Sequence, residues 1–339
     1  MSKKRIAVIC PGRGSYTRDT INYLQQNSNP AKEHVKWMDE KRKDQERPSL
    51  TKLDSQPFRT KTHMVGENAS ALIYACSLAD FMSMDTDQYE VVSVLGNSMG
   101  WYTSLALSGA ITLKDGFYLI DTMGSMMKDE IIGAQLIYPI TDENWKIDQK
   151  THEMVLSKVR ESGSFISIKL GGYIVVGGEK KELQKLSKDL PTQEKYPLVI
   201  PYHAAFHTPL LESISRSAID IIDPSIFNRP SIPLIDGRGK IWSTYSTNPR
   251  GLRDYTLDHQ VLNTFDFTSS VTVALKEFCP DLLVLLGPGN SLGGVVGQIL
   301  IDNKWKGLES KKDFLDLQAS DPFMLSVGIP EQRKILKKN

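Results

Sequence analysis

Residues 91–107 read VVSVLGNSMGWYTSLAL, an apolar β-branched run followed by small residues and then by an apolar helical pattern. A strand that turns into a helix around G-x-S-x-G is the context that a nucleophile elbow requires. Gly96 and Gly100 would let the strand and the helix approach each other without side-chain clashes, and Ser98 would lie in the strained turn between them. The stretch therefore predicts a serine nucleophile, Ser98, on a strand-to-helix turn.

Three further apolar runs end in turns of small residues, and helical patterns separate them. They read RIAVICPGRGS at 5–15, SIPLIDGRGK at 231–240 and DLLVLLGPGNS at 281–291. Strands that alternate with helices in this way form parallel sheets covered by helices. The sequence therefore predicts an α/β fold with a mainly parallel sheet.

The block from Gly133 to about Tyr202 has a different pattern: strand, helix, two strands, helix, strand. The predicted strands span 134–140, 164–170, 173–178 and 197–202, and the predicted helices span 151–162 and 179–190. A βαββαβ order is that of a ferredoxin-like unit. We therefore predict a discontinuous core of residues 1–132 and 203–339, with a ferredoxin-like subdomain of residues 133–202 inserted into it.

Charge gives little indication of a partner. Lys and Arg together number 41 against 40 Asp and Glu, so no global field favours nucleic acid or an anionic membrane. Residues 31–63 are dense in charges of both signs, and we expect a solvated helix and loop there rather than a docking surface.

The run Ile6–Cys10 is too short for the apolar region of a signal peptide, and no stretch approaches the roughly 20 apolar residues of a membrane span. We expect a cytoplasmic protein.

The three cysteines, Cys10, Cys76 and Cys279, lie far apart and show no metal-like spacing. We expect buried, reduced thiols, none of them catalytic, and no metal site.

A serine nucleophile also needs a base, and His203 and His207 lie close together in IPYHAAFHTPLLESI. Spacing alone does not choose between these two histidines.

Five stretches, in order and across nearly the whole chain, resemble the malonyl-CoA:acyl-carrier-protein transacylase family, which includes the acyltransferase domains of fatty-acid and polyketide synthases. They read PGRGS, GNSMG, AAFHTPLLE, HQVLN and LGPGNSLGGV. The family's markers are a PGQGS-like first turn, GHSxG, a histidine in an AFH or SH segment, and a late GPG. The resemblance implies an α/β-hydrolase-like core with a ferredoxin-like insertion, in agreement with the pattern of strands and helices.

The resemblance also implies roles for individual residues. Ser98 matches the nucleophile, and His207 matches the general base because it stands in the AFH segment. Gln260, in HQVLN, matches a glutamine whose backbone carbonyl orients the histidine. The oxyanion hole would be formed by the backbone N–H groups of Met99 and Arg13.

The chain departs from the family pattern at several positions, of which we expect Arg13, Asn97 and Met123 to bind substrate. Asn97 replaces the histidine of GHSxG, Trp101 replaces a glutamate that often follows the elbow, and Arg13 replaces the glutamine of the first turn. Met123 occupies the position of an arginine that pairs with the malonyl carboxylate in the family.

These departures leave the acyl group open. Without that arginine a buried malonyl carboxylate would lack a partner, which favours a neutral acyl group. Arg13 could instead supply the guanidinium from the other side and so preserve malonyl selectivity. Phe206 matches a phenylalanine of enzymes that take unbranched malonyl units, and we expect it to narrow the space for an α-branch.

The resemblance implies an acyltransferase that moves a malonyl or neutral short acyl group from coenzyme A to the phosphopantetheine thiol of an acyl-carrier protein, through an acyl-Ser98 ester. The reaction would serve fatty-acid or polyketide synthesis, with acyl-CoA as a substrate and no cofactor. The alternative is a serine esterase or thioesterase that hydrolyses such thioesters. Esterases usually place the catalytic histidine near the C-terminus, after an acid, whereas His207 lies far from the end of the chain.

Overall fold

The computed structural model describes residues 2–128 and 130–337. Its strands, numbered in chain order, are β1 (Lys4–Cys10), β2 (Tyr89–Gly96), β3 (Ala134–Pro139), β4 (Phe165–Leu170), β5 (Tyr173–Gly178), β6 (Leu198–Val199), β7 (Leu234–Ile235), β8 (Ile241–Trp242), β9 (Phe265–Asp266), β10 (Leu282–Leu285) and β11 (Met324–Ser326).

The α-helices, numbered in the same way, are α1 (Tyr23–Asn27), α2 (Lys32–Asp44), α3 (Leu50–Ser55), α4 (Thr60–His63), α5 (Gly66–Met82), α6 (Gly100–Leu107), α7 (Leu113–Ser125), α8 (Gln149–Ser162), α9 (Lys180–Asp189), α10 (Glu212–Ile221), α11 (Pro249–Asp254), α12 (Gln260–Leu262), α13 (Phe267–Phe278), α14 (Gly293–Asp302), α15 (Lys311–Ser320) and α16 (Pro330–Leu336). Short 3-10 helices span Arg18–Thr20, Asn29–Ala31, Pro209–Leu211, Pro224–Ile226 and Trp305–Gly307, and a π-helix spans Tyr255–His259.

The larger sheet has the order β11-β10-β1-β2-β7-β8, and only the β7–β8 pair is antiparallel among its described pairings. Its central strand β1 is completely buried from Ile6 to Cys10. Parallel strands buried on both faces need helices on both sides, which explains their near-continuous apolar sequence. The predicted mainly parallel sheet is confirmed, and the four glycine-terminated runs form its adjacent strands β10, β1, β2 and β7.

The register of this sheet brings three glycine-rich turns together. Cys10 pairs with Gly96 at the ends of β1 and β2, and the Asn97 N–H donates a hydrogen bond to the Cys10 carbonyl at 3.0 Å. On the other side of β1, the Leu286 N–H donates to the Ile9 carbonyl, also at 3.0 Å. The turns after β1, β2 and β10 therefore lie side by side at the carboxyl edge, where open α/β sheets bind ligands.

The smaller sheet has the order β6-β3-β5-β4-β9. Its first four strands are mutually antiparallel and follow the chain order strand, helix, two strands, helix, strand, as a ferredoxin-like unit does. Helices α8 and α9 cover it with a separate apolar cluster that includes Val155 and Leu183. The fifth strand, β9, joins this sheet from outside residues 133–202, and the division of the chain at those boundaries stays a prediction.

Two details differ from the sequence-based expectations. The strand predicted at 197–202 is reduced to Leu198–Val199, because Pro197 and Pro201 lack the N–H groups that a ladder needs. Cys10 and Cys76 are buried as predicted, but Cys279 is exposed, because it ends helix α13 in a left-handed conformation with φ of 42°. None of the described helices has the length and apolar character needed to cross a membrane.

The charged segment 31–63 is less solvated than we expected. Arg42 of helix α2 is completely buried, and its guanidinium reaches Asp121 of helix α7 at 3.1 Å. Arg47 also pairs with Asp121. The expectation of a purely solvated helix and loop was therefore wrong for these two arginines, because a carboxylate far along the chain compensates their burial.

Candidate active site

Ser98 lies on the turn between strand β2 and helix α6. Its φ of 53° is in the left-handed region, which side chains other than glycine adopt only under constraint. A Cβ atom on Gly96 would lie 2.2 Å from the Gly100 carbonyl, and one on Gly100 would lie 2.3 Å from the Cys10 carbonyl. Because no side chain fits at either position, the two glycines permit the sharp turn that presents the serine.

His207 is the histidine that the structure places at this serine. The Ser98 hydroxyl and His207 Nε2 are 2.7 Å apart, and His207 Nδ1–H donates to the Gln260 carbonyl at 2.5 Å. The carbonyl requires a proton on Nδ1, so the Nε2 lone pair faces the serine. In this arrangement Nε2 can take the hydroxyl proton as Ser98 attacks a carbonyl carbon.

Burial keeps this base uncharged. His207 is 2% exposed, and burial lowers its pKa to about 4, although the hydrogen bond to Gln260 opposes that shift. The imidazole is therefore neutral around pH 7 and available to accept a proton. Among the described residues no carboxylate supports the ring as in a Ser-His-Asp triad, since the acceptor behind Nδ1 is a peptide carbonyl.

Gln260 connects the base to the elbow through its side chain as well. The Tyr102 hydroxyl donates to Gln260 Oε1 at 2.9 Å, and Gln260 Nε2 donates to the Ser98 carbonyl at 3.3 Å. We did not identify Tyr102 from the sequence, although its position one helical turn after Ser98 places both residues on one side of the chain. Trp101 is completely buried and donates from Nε1 to Thr256, in the π-helix that precedes Gln260.

The turns that carry Met99 and Arg13 are in close contact. A Cβ atom on Gly12 would lie 2.8 Å from the Asn97 carbonyl, so the first turn passes directly against the elbow. Neither the Met99 nor the Arg13 backbone N–H donates a hydrogen bond within the described part of the chain. Both N–H groups are therefore available to a negative oxygen, as an oxyanion hole requires.

A small cavity of about 30 Å³ borders Ser98 on the side of helix α7. Met123 and Ile120 of that helix line it together with Phe206 and the Arg13 side chain. Its lining is mostly apolar. A single water molecule needs on the order of 10–15 Å³ of such volume, so the cavity has room for a short acyl group only. The predicted substrate positions Met123, Phe206 and Arg13 thus meet at one cavity, whereas Asn97 lies elsewhere.

The Arg13 guanidinium has few partners. Its Nη2 donates to the Tyr202 carbonyl at 2.6 Å and to the Met64 carbonyl at 3.1 Å, whereas Nε is buried with no partner in the described part of the chain. Burial alone accounts for the lowering of its pKa to about 10, so the group stays cationic at neutral pH. This cation is paired with no described carboxylate.

A second chamber, of about 170 Å³, meets Ser98 from the side of the smaller sheet. Asn97, His203 and Gln135 line it, with apolar side chains between them. His203 Nδ1 lies 2.9 Å from Gln135 Oε1, whereas His207 contacts Ser98, so the two histidines that spacing could not distinguish have different neighbours. Within residues 2–128 and 130–337, no cluster of three or more His, Cys, Asp or Glu side chains could hold a metal ion.

No family model matches the chain. It is 22% identical over 303 residues to the malonyl CoA-acyl carrier protein transacylase of Bacillus subtilis (strain 168), a match that covers 87% of this chain and 90% of that relative. It is 24% identical over 211 residues to the polyketide biosynthesis malonyl CoA-acyl carrier protein transacylase PksC of the same organism, covering 62% and 69%.

Solved structures give a consistent result. The malonyl-CoA:ACP transacylase of Synechocystis sp. PCC 6803 superimposes with a TM-score of 0.76 at 14% identity, covering 98% of this chain and all of that one. A structure of a type II polyketide synthase acyl-carrier protein in complex with its malonyl-transacylase contains a chain that superimposes with a TM-score of 0.70 at 20% identity. The match covers 88% of this chain and 93% of that one. The chain is thus a relative of the malonyl-CoA:acyl-carrier-protein transacylases and has their fold, as the ordered motifs predicted.

Proposed function

We propose that this chain is an acyltransferase that moves a short acyl group from coenzyme A to the phosphopantetheine thiol of an acyl-carrier protein, through an ester on Ser98. The observation that carries the proposal is the 2.7 Å contact between the Ser98 hydroxyl and His207 Nε2, with the Gln260 carbonyl behind Nδ1. The names of the relatives describe transacylases between malonyl-CoA and an acyl carrier protein, one of them in polyketide biosynthesis, and we propose that this chain serves fatty-acid or polyketide synthesis. The cytoplasm is the proposed location.

In the first half-reaction Ser98 Oγ attacks the thioester carbonyl carbon, and His207 Nε2 takes the hydroxyl proton. The carbonyl oxygen becomes negative and accepts hydrogen bonds from the Met99 and Arg13 N–H groups. The C–S bond then breaks, and His207 returns its proton to the departing sulfur of coenzyme A. The products are the Ser98 ester and free coenzyme A.

In the second half-reaction the carrier thiol attacks the ester carbonyl, and His207 Nε2 takes the S–H proton. The C–O bond to Ser98 breaks, and His207 gives the proton back to the serine oxygen. The serine, the base and the donors thus return to their starting states. No cofactor takes part in either half.

We propose further that the acyl group carries a carboxylate, as a malonyl group does. The cavity beside Ser98 is lined by the Arg13 cation, which is paired with no described carboxylate, and by mostly apolar surface that includes Met123. A buried cation without a counter-ion is costly, and a substrate carboxylate removes that cost. Arg13 would thereby take over the part that the helix arginine plays in the family.

Hydrolysis is the competing outcome for the same ester. A transferase must keep water from the ester until the thiol arrives. The second chamber borders Ser98 beside the acyl cavity and would admit the thioester arm in either reaction, so experiment decides between transfer and hydrolysis. An acyl-enzyme that persists in buffer and disappears when holo carrier protein is added would support transfer, whereas rapid acyl-CoA hydrolysis unaffected by the carrier would indicate a thioesterase.

Intact-protein mass spectrometry tests the proposal directly. The purified protein is mixed with malonyl-CoA, acetyl-CoA and longer acyl-CoAs, and the mass added to the chain identifies the acyl group. Ser98→Ala should abolish the adduct and keep the fold. The matched control is Ser70→Ala, since Ser70 lines the same cavity without contacting His207, and it should keep the adduct. An adduct that persists on Ser98→Ala would refute the ester intermediate.

A further inference from the structure

The hydrogen bonds around His203 determine which of its ring nitrogens carries a proton. Gln135 Nε2 donates to the Ser167 hydroxyl at 2.7 Å, and that hydroxyl donates to the Phe206 carbonyl at 2.8 Å. The amide oxygen of Gln135 therefore faces His203 Nδ1, 2.9 Å away, and an oxygen can only accept there. Nδ1 must carry the proton, which leaves Nε2 with a lone pair and no partner among the described residues.

His203 keeps this lone pair across the physiological pH range. Burial and, to a smaller extent, the nearby Arg13 cation hold its pKa well below the usual value for histidine. A weakly basic imidazole of this kind is a poor proton carrier but a permanent hydrogen-bond acceptor. The ring is thus suited to hold a donor in place.

A second acceptor belongs to a residue that lines the same chamber. Asn97 is 9% exposed, and its Oδ1 is buried without a hydrogen-bond partner in the described part of the chain. Ile137, Leu170 and Val175 supply apolar surface in the chamber. Buried polar atoms are almost always paired, because leaving one unpaired costs free energy. The unpaired Asn97 Oδ1, together with the Nε2 lone pair of the partly exposed His203, therefore indicates a ligand that brings N–H donors.

We propose that His203 Nε2 and Asn97 Oδ1 accept hydrogen bonds from the amide N–H groups of the pantetheine arm, and so position its sulfur at Ser98. This inference rests on the proposed function, because only an enzyme that acts on coenzyme A or carrier-protein thioesters meets this arm. Coenzyme A and a carrier protein share the arm, so one site serves both half-reactions. His203 is a binding and positioning residue here, and His207 remains the base.

Two probes isolate the amide N–H. The first is malonyl-N-acetylcysteamine, which keeps the amide nearest the sulfur. The second is the malonyl thioester of 5-sulfanylpentan-2-one, in which CH₂ replaces that N–H and everything else is unchanged. The measured quantity is the ratio of kcat/KM for the two probes in Ser98 acylation. Because it is a ratio, it does not depend on the fraction of each variant that is folded.

For the wild-type protein we expect the amide probe to be favoured about 3- to 10-fold, the usual effect of one neutral hydrogen bond. His203→Leu combined with Asn97→Ala should bring the ratio to about 1, and His203→Gln, which keeps an acceptor near the Nε2 position, should retain part of the preference. A wild-type ratio of 1 would overturn the inference. So would a double variant that slows both probes equally, because that pattern means a purely structural role.

The outcome is separable from that of the proposed function. If malonyl-CoA and acetyl-CoA both fail to label Ser98 in the wild-type protein, the acyltransferase proposal itself fails. If either labels Ser98 but the probe ratio is 1, only the assignment of His203 and Asn97 to the arm is wrong.

Discussion

The two cavities that meet at Ser98 differ in size and in polarity. The cavity beside helix α7 has about 30 Å³, and the chamber beside the smaller sheet has about 170 Å³. The Arg13 cation lines both, whereas Met123 lines the first and His203 and Asn97 line the second. On the proposals above, the cation selects strongly for an anionic acyl group, and the neutral acceptors select weakly for N–H donors of the thiol arm. The choice of acyl group and the binding of the arm should therefore be separable at Met123 and His203, and less so at Arg13.

The largest expected effect comes from removing the base beside Ser98. His207→Ala should lower the acylation rate by about 10³- to 10⁶-fold, as losing a general base that acts together with its nucleophile does. Rapid mixing with acyl-CoA and mass detection of the Ser98 ester measures it.

His203→Ala is the matched control, because that histidine contacts Gln135 instead of Ser98. It should lower the acylation rate by only about 3- to 10-fold, the effect of one neutral hydrogen bond and far less than the loss of the base. A reversal, with His203→Ala inactive and His207→Ala active, would exchange the roles of the two histidines.

The second-largest effect should concern the preference for malonyl-CoA over acetyl-CoA. If Arg13 holds a carboxylate, Arg13→Gln should lower kcat/KM for malonyl-CoA by about a hundredfold or more, since losing one partner of a buried pair costs about 3–5 kcal/mol. Acetyl-CoA should be spared, and adding Met123→Arg should restore malonyl use.

Four proteins make this comparison complete: wild type, Arg13→Gln, Met123→Arg and the double variant. For a pocket suited to a neutral acyl group, wild type would already prefer acetyl-CoA, and Met123→Arg alone would shift it toward malonyl-CoA. A preference for malonyl-CoA that neither the Arg13 nor the Met123 substitution changes would contradict both accounts, the carboxylate held by Arg13 and the pocket for a neutral acyl group.

The pH dependence should reveal the neutral base. Because burial lowers the pKa of His207 to about 4, the active neutral form predominates above that value and is lost as the pH falls through it. We expect kcat/KM to be level from pH 6 to 7.5 and to fall about tenfold for each unit below pH 4. An acid limb centred near the ordinary histidine pKa would show that the base is more solvated than the structure indicates.

The smallest effect should come from the support behind Gln260. Tyr102→Phe removes the hydroxyl that donates to Gln260 Oε1, and we expect kcat to fall about 2- to 10-fold, the cost of one neutral hydrogen bond. Tyr245→Phe is the control, since Tyr245 is 89% exposed and distant from the hydrogen bonds of the site. A fall in activity as large as that expected for His207→Ala would mean that Tyr102 does more than hold the Gln260 side chain in position.

The sequence predicted the features that depend on short stretches of chain. The elbow was predictable because Gly96 and Gly100 meet a local steric demand, and the parallel sheet because its strands are apolar runs ending in such turns. The choice of His207 over His203 needed the family resemblance, since both residues lie in one segment.

Residues that act through long-range packing were not predictable in this way. Gln135 faces His203 across 68 positions, and Tyr102 meets Gln260 across 158. Arg42 looked like part of a solvated charged run, because its partner Asp121 is 79 residues away. Periodicity describes which face of an element is apolar, but it does not indicate which distant group neutralises a buried charge.

The buried contact of Arg42 and Arg47 with Asp121 has a consequence for how the molecule opens. Helix α7 carries both Asp121 and Met123, so the ion pair of Asp121 with Arg42 connects the wall of the acyl cavity to helix α2. Arg47, just after helix α2, also pairs with Asp121. Salt in bulk solvent screens such buried ion pairs poorly. Separating the two helices would strand a charge in the interior. Their amide protons should therefore exchange with solvent as one cooperative unit, and the acyl cavity should loosen only when that whole unit opens.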